Sequence, residues 1–249
     1  MSEAGPVSAA ARAAELARAE RRSGVTIHLD PPTRGERLLY GFVRGALVGW
    51  ARLYLRADFV GLDNVPSDGP FILAPVQRSN IDFLLAAGCA RRRQRFLAKD
   101  TLWKPVIGNL FSALGGIPVA RGTADREALQ ACQTVLEAGE PLVMFPEGTR
   151  QLGPTVEALF DGPAFLQSRT GVPIVPVGIG GSETAMPKGA KWIRPAKVVI
   201  VVGEPMEAPE VEGAKARRAA VKTQTATLYD EVQRLFDEAQ ERAGTPNRR

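Results

Sequence analysis

Residues 71–92 read FILAPVQRSNIDFLLAAGCARR, which is an apolar run, a polar turn and a second apolar stretch with helical composition. The run 71–76 is short and apolar throughout, as a strand buried on both faces would be. Gln77-Arg78-Ser79-Asn80 then supplies turn formers, and Ser79 or Asn80 suits the cap of a helix over 82–92. Asp82 falls in the first turn of that helix, where the aligned peptide dipoles favour a carboxylate. Taken alone, the turn is no more than a good helix start.

The same alternation continues on either side. Strands are expected at 71–76, 95–98, 116–120, 142–145, 174–179 and 197–202, and helices at 82–92, 102–114, 125–138, 156–170 and 213–243. Short β-type runs separated by helical patterns imply an α/β fold, a largely parallel or mixed central sheet flanked by helices. In the last helix Val221, Leu228, Val232, Leu235 and Phe236 share one face opposite the charges, so it should dock on the body.

Ahead of this body lie two different segments. Residues 1–33 form a charged tail whose 9–22 stretch alternates Ala with Arg and Glu, without the apolar core and cleavage site of a signal peptide. Residues 34–58 contain RGERLLYGFVRGALVGWARLYLR, in which Arg37, Arg44, Arg52 and Arg56 recur within one sector of a helix. The remaining circumference is apolar, with Leu38, Phe42, Leu47, Trp50 and Leu53 among others. No uncharged run there reaches the roughly 20 residues that a spanning helix needs. Two readings stay open: a helix lying in a membrane interface, or a core helix with snorkelling arginines. The third segment, residues 59–249, is the α/β domain.

Composition narrows the function classes. The chain has 249 residues, 45% hydrophobic and 24% charged, enough for one ordinary globular core. Its net charge of +5, from 32 basic and 27 acidic residues, suits anionic lipid or phosphate ligands. No zinc-finger or RNA-recognition pattern accompanies it, which sets nucleic acid aside. Cys89 and Cys132 are far apart and unflanked by histidine, so neither a disulfide framework nor a metal site is implied, and a reducing compartment fits. The only histidine is His28, outside every motif.

Four short blocks carry the candidate chemistry: Gln77-Arg78-Ser79-Asn80-Ile81-Asp82; Gly115-Gly116-Ile117-Pro118-Val119-Ala120-Arg121; Phe145-Pro146-Glu147-Gly148-Thr149-Arg150; and Val172-Pro173-Ile174-Val175-Pro176-Val177. Arg121 ends a strand, and its planar guanidinium can fork onto a phosphate. Glu147, Gly148, Thr149 and Arg150 fall just past the carboxyl end of another strand, where ligands collect in open α/β sheets. The two prolines of the fourth block suggest a sheet edge or bulge.

In this order and spacing the blocks resemble those of the 1-acylglycerol-3-phosphate acyltransferases and the related glycerol-3-phosphate acyltransferases. The resemblance runs over residues 64–205, and Phe-Pro-Glu-Gly-Thr-Arg is its most specific piece. Lys99, in Phe96-Leu97-Ala98-Lys99, also stands where that family tends to keep a lysine. The resemblance implies that residue 77 is the general base, normally histidine, with Asp82 orienting it. It implies that Arg121 and Arg150, with Lys99, hold the acceptor's phosphate, and that Glu147 orders the acceptor or the arginines. Arg78, Ser79, Gly148 and Thr149 belong on the substrate-binding side. The co-substrate would be acyl-CoA or acyl-carrier protein, with no metal or organic cofactor. The acceptor would be lysophosphatidate or glycerol 3-phosphate, and the setting the cytoplasmic face of a membrane. An acceptor with another lysolipid head group is the weaker alternative. Phe83, Leu84, Leu85 and residues 103–111 are adjacent apolar candidates for an acyl groove, although ordinary helix core accounts for them too.

The departure is Gln77, which stands in the histidine's place. An amide does not titrate near neutral pH, so it accepts no proton, though it could still hydrogen-bond Asp82 and the acceptor hydroxyl. Either the residue was replaced in an active enzyme, or the chain is a non-catalytic member that binds lipid. Retention of Asp82, Arg121, Glu147 and Arg150 favours the first.

Overall fold

The computed structural model describes residues 33–99, 107–119 and 125–248. The tail 1–32 with His28, the segment 100–106 and the segment 120–124 with Arg121 lie outside them. In chain order the elements are α1 (Arg34–Tyr54), β1 (Asp58–Val60), a 3-10 turn (Leu62–Asn64), β2 (Ile72–Pro75), α2 (Asp82–Cys89), β3 (Arg95–Lys99) and α3 (Ile107–Ala113). They continue with β4 (Gly116–Val119), α4 (Asp125–Glu137), β5 (Leu142–Val143), α5 (Gly162–Thr170), β6 (Ile174–Gly180), α6 (Ser182–Ala185), β7 (Val199–Val202) and α7 (Ala214–Ala243).

The described strands form one sheet in the order β1-β7-β6-β2-β5-β3-β4. β6, β2, β5, β3 and β4 pair in parallel along the sheet, while β7 runs antiparallel to β6 and carries β1 parallel to itself. The carboxyl ends of the five parallel strands therefore share one edge. β2 and β6 are buried along their whole length, which is why their sequences are continuous apolar runs without alternation.

β6 departs from expectation. Pro173 and Pro176 suggest an edge or bulge, yet the strand lies between β2 and β7. Pairing with β7 begins at Val177 opposite Val202, one residue after Pro176, and the Pro176 carbonyl still accepts from Gly203 N–H at 2.9 Å. The missing proline donor therefore falls where the β7 ladder stops. The glycines of β6 do a second job. A Cβ at Gly178 would stand 2.2 Å from the Leu235 carbonyl, and one at Gly180 2.3 Å from that of Ala239. The α7 backbone thus lies directly on the strand, with Leu228, Val232 and Phe236 buried beneath it.

Other elements differ at their ends. β1 was not anticipated, because three residues give no pattern. The helix expected from 156 begins at Gly162, since the preceding chain is tied down as a loop. There Val156 N–H donates to Gln233 Oε1 at 2.7 Å and Glu157 N–H to Glu147 Oε1 at 3.2 Å. α2 stops at Cys89, short of 92, where Arg44 of α1 takes over its last carbonyls by donating to Gly88 and Ala90.

That contact settles how α1 sits. Arg44 turns inward, away from the polar edge expected of it, and Tyr40 and Ala51 are buried beside it. Leu55 and Ala57 join the main core, and Leu55 O accepts from Val198 N–H at 3.1 Å. The boundary expected at 58/59 consequently falls within β1. The outward face is a different surface: Leu38 and Phe42 are each 76% exposed and Leu53 86%.

Candidate active site

β2 and β5 are neighbours, so the chain leaving each at the carboxyl edge meets the other. Residue 77 is held by its backbone from both sides. Gln77 N–H donates to Glu147 Oε2 at 2.9 Å, and Gln77 O accepts from Gln151 N–H at 3.0 Å. The position of this side chain is thus set by the strand edge, whatever residue occupies it. Gln77 is half-buried, and its amide makes no hydrogen bond to Asp82 among the described residues.

Asp82 is fully buried, and its Oδ2 accepts from the N–H groups of Arg78 and Ser79 at 2.6 Å each. It is therefore Asp82, not the side chain of Ser79 or Asn80, that gathers the turn ahead of α2. Burial raises its pKa to about 6, opposed by the Ser182 hydroxyl and the two backbone donors. Ser182, just past the carboxyl end of β6, is also buried, and its hydroxyl lies close enough to Asp82 to favour the charged carboxylate without forming an aligned hydrogen bond to Oδ1. Asp82 thus keeps one oxygen with unused acceptor capacity.

The raised pKa has a consequence for stability. The folded state holds this proton more tightly than the unfolded chain, so the contribution of Asp82 falls as pH rises from about 4 to about 6 and stays low above that. Asp82→Asn removes the titration while keeping an acceptor oxygen. Urea denaturation should show the stability difference between the variant and the unaltered chain shifting in the variant's favour by up to about 3 kcal/mol over that window. A pH-independent difference would contradict the assignment.

Arg78 and Glu147 form the rigid centre of the site. Their side chains are both 0% exposed and meet at 2.7 Å. Arg78 also donates to Thr155 O at 3.0 Å and to Gln77 O at 3.3 Å, and its guanidinium lies over the Phe236 ring at 4.8 Å. This corrects the expectation for Arg78: a side chain with no exposed surface does not touch substrate, and its role is to position the turn. The same holds for Ser79, buried and donating its hydroxyl to Met186 O at 2.8 Å. Glu147 serves three donors at once, Gln77 N–H, Arg78 Nη1 and Glu157 N–H.

Gly148 adopts a φ of 67°, and a Cβ there would meet the Phe160 ring at 2.7 Å, so the turn requires glycine. Thr149 is exposed and accepts from Gln151 Nε2 at 3.1 Å. Arg150 is half-buried and makes no hydrogen bond or ion pair with the described residues, which leaves its guanidinium for a ligand. Lys99 ends β3 at the same sheet edge. Arg121 lies outside the described residues.

Of the suggested groove residues, Leu85 is buried in the core, whereas Phe83 is 46% exposed and Leu110 44%. Cys89 and Cys132 are buried, each thiol pushed up to about 12 by burial, so neither is poised as a nucleophile.

A family model described as Acyltransferase matches residues 56–180, which run from just before β1 to the end of β6 and contain the turns at 77–82 and 147–150. The chain belongs to the acyltransferase family. This acyltransferase-family chain is 30% identical over 172 residues to a chloroplastic 1-acyl-sn-glycerol-3-phosphate acyltransferase of Brassica napus, covering 63% of itself and 48% of that protein. It is 24% identical over 170 residues to the enzyme of the same name from Bacillus subtilis, covering 68% of itself and 82% of that protein. The chain spans about half the length of the chloroplastic relatives of Brassica napus and Arabidopsis thaliana that it matches. The crystal structure of the 1-acyl-sn-glycerophosphate (LPA) acyltransferase PlsC from Thermotoga maritima superposes with a TM-score of 0.60 at 25% identity, over 87% of this chain and 88% of that one.

Sequence reasoning did not anticipate Ser182, Thr155 or Phe236 around the site. The only cue for Ser182 was its place just beyond the β6 run. Thr155 contributes a backbone carbonyl, which has no sequence signature.

Proposed function

We propose that this site is built to pass an acyl group from a thioester, acyl-CoA or acyl-carrier protein, to a hydroxyl of lysophosphatidate or glycerol 3-phosphate, and that Gln77 leaves it without its base. The observation that carries the reading is the pair of positions 77 and 82. The backbone of residue 77 is clamped at the sheet edge, and beside it lies a buried carboxylate with one free oxygen. A histidine at 77 is the donor that such an oxygen suits.

In that reaction the base takes the acceptor's hydroxyl proton, and the oxygen attacks the thioester carbonyl. The tetrahedral intermediate then collapses to the ester, and the thiolate leaves with the proton. Asp82 orients the base and stabilises its protonated form. Arg150 pairs with the acceptor phosphate, joined by Lys99 and Arg121. Glu147 and Arg78 keep the turn in register. The names of the Brassica, Bacillus and Thermotoga relatives support this acceptor class. Acyl transfer to a phosphoglycerol by a Gln77→His variant is the test, and silence with every such acceptor contradicts the reading. Gln77 itself favours one other reading, a protein that binds the lipid without turning it over.

The setting we infer is the cytoplasmic surface of a membrane. No helix among the described residues is long and apolar enough to cross one. The exposed face of α1, with Leu38, Phe42 and Leu53, suits a helix lying among acyl chains. Burying these three side chains is worth about 1.5–3 kcal/mol each, so replacing all three with serine should weaken vesicle binding at least about tenfold in flotation assays. An unaltered chain that stays monomeric and ignores vesicles would contradict this.

A further inference from the structure

At the edge of the sheet opposite the candidate active site, where β3 and β5 begin, a cavity of ≈ 370 Å³ opens beside the first turns of α1. Its wall is unusually cationic. Arg37 comes from α1 and Arg91, Arg92 and Arg93 from the chain after α2, with Glu36 and Glu140 as the acidic members. Arg95 stands directly behind: Arg93 and Glu36 both act on it electrostatically, and Glu140 lies 3.4 Å from its Nε. Five guanidinium groups thus face two carboxylates.

These arginines are not equally occupied. Arg92 is engaged, donating to Ser67 O at 3.2 Å and Gly69 O at 2.9 Å. Arg93 and Arg95 share a single carboxylate, Glu140, and have no backbone carbonyl partners of this kind among the described residues. Their side chains are 9% and 3% exposed, and Nε and Nη2 of each have no hydrogen-bond partner among the described residues. Glu140 forms ion pairs with both, at 3.6 Å from Arg93 and 3.4 Å from Arg95, so one carboxylate is divided between two guanidinium groups and leaves most of their donors unused. Glu36 is already committed to capping α1 through Thr33. Burial, reinforced by the neighbouring Arg93 charge, holds the pKa of Arg95 below its usual value. Buried guanidinium donors without a hydrogen-bond partner are costly, and an anion with several acceptor oxygens removes that cost.

We propose that this cavity is a second anion site, for a phosphate group, distinct from the carboxyl-edge site that contains Arg150. Phosphate presents the acceptor oxygens that planar guanidinium forks match in pairs. The group can arrive on a lipid or free in solution. The lipid source is the favoured one, because Arg37 shares α1 with the exposed Leu38 and Phe42, so a head group seated here would leave its acyl chains along the apolar face. That choice rests on the membrane reading of α1, whereas binding of a soluble phosphate does not.

The experiment compares the full chain with Arg93→Gln, with Arg37→Gln on the exposed rim, and with Arg150→Gln at the other site. Thermal unfolding is followed with and without inorganic phosphate, and vesicle flotation with neutral phosphatidylcholine alone or mixed with phosphatidylglycerol. The phosphate-induced rise in Tm should survive Arg150→Gln and be lost in Arg93→Gln. Binding to the mixed vesicles should fall at least about fivefold in Arg37→Gln and Arg93→Gln, with binding to neutral vesicles unchanged; a phosphate response without this vesicle effect would keep the site and overturn the lipid source. The site itself is overturned if phosphate stabilisation and anionic-vesicle binding are the same in Arg37→Gln and the unaltered chain, or if Arg150→Gln alone abolishes both. Because Arg37 is exposed, its substitution keeps the test decisive even where Arg93→Gln folds poorly.

Discussion

Glu147→Ala is expected to destabilise the fold by about 3–5 kcal/mol, the usual penalty for removing one member of a buried ion pair. Arg78 and Glu147 are both 0% exposed, so no water reaches the charge left behind. Three donors lose their acceptor together: Arg78 Nη1 and the N–H groups of Gln77 and Glu157. Among the described residues Arg78 keeps Thr155 O, Gln77 O and the face of Phe236. With a typical domain stable by about 5–15 kcal/mol, this single change removes a large share of the margin. Arg78→Ala should be similarly severe, and the double variant should lose clearly less than the two single losses together, because neither charge is then stranded. Urea unfolding reads all three. Losses below about 1 kcal/mol, or simple additivity, would show that the pair is no structural unit.

The second large effect is a gain. Gln77→His should raise acyl transfer by about 10²–10⁴, the contribution of a positioned general base. The backbone around residue 77 is fixed by Glu147 and Gln151, so the substitution does not have to rebuild the turn. Asp82 supplies the carboxylate that an imidazole needs to hold one tautomer, and its Oδ1 is free to accept. Adding Asp82→Asn to the variant should therefore cancel most of the gain, since an amide cannot stabilise the imidazolium that forms. The dependence on Asp82 separates a histidine acting as oriented base from one that merely fills space.

Legibility in the sequence followed the physics of each element. β2 and β6 were found because buried parallel strands must be apolar at every position, a signal that needs no partner to read. β1, at three residues, has no such pattern, and it exists because Asp58 N–H finds Val198 O across the sheet. The prolines of β6 misled because a missing donor matters only where a ladder continues, and the end of the β7 ladder is a tertiary fact. The positions of the site were legible as a set, since the strand order brings the ends of β2 and β5 together. Their roles were less so. Arg78 looks like a ligand-gripping cation in the chain, but the arrival of Glu147 from β5 and Phe236 from α7 turns it into an internal brace. Arg44 likewise reads as one more arginine on a polar edge until α2 ends against it.

The most direct test of the central claim, that the carboxyl edge holds an acyl-transfer site disabled at residue 77, is a side-by-side assay of the unaltered chain and Gln77→His. Both would be supplied in vesicles with acyl-CoA and either lysophosphatidate or glycerol 3-phosphate. Product is expected from the histidine variant with at least one acceptor and little or none from the unaltered chain. Equal activity in the two would contradict the role of residue 77, and silence from both, with lipid still bound, would make this a binding protein in place of an enzyme.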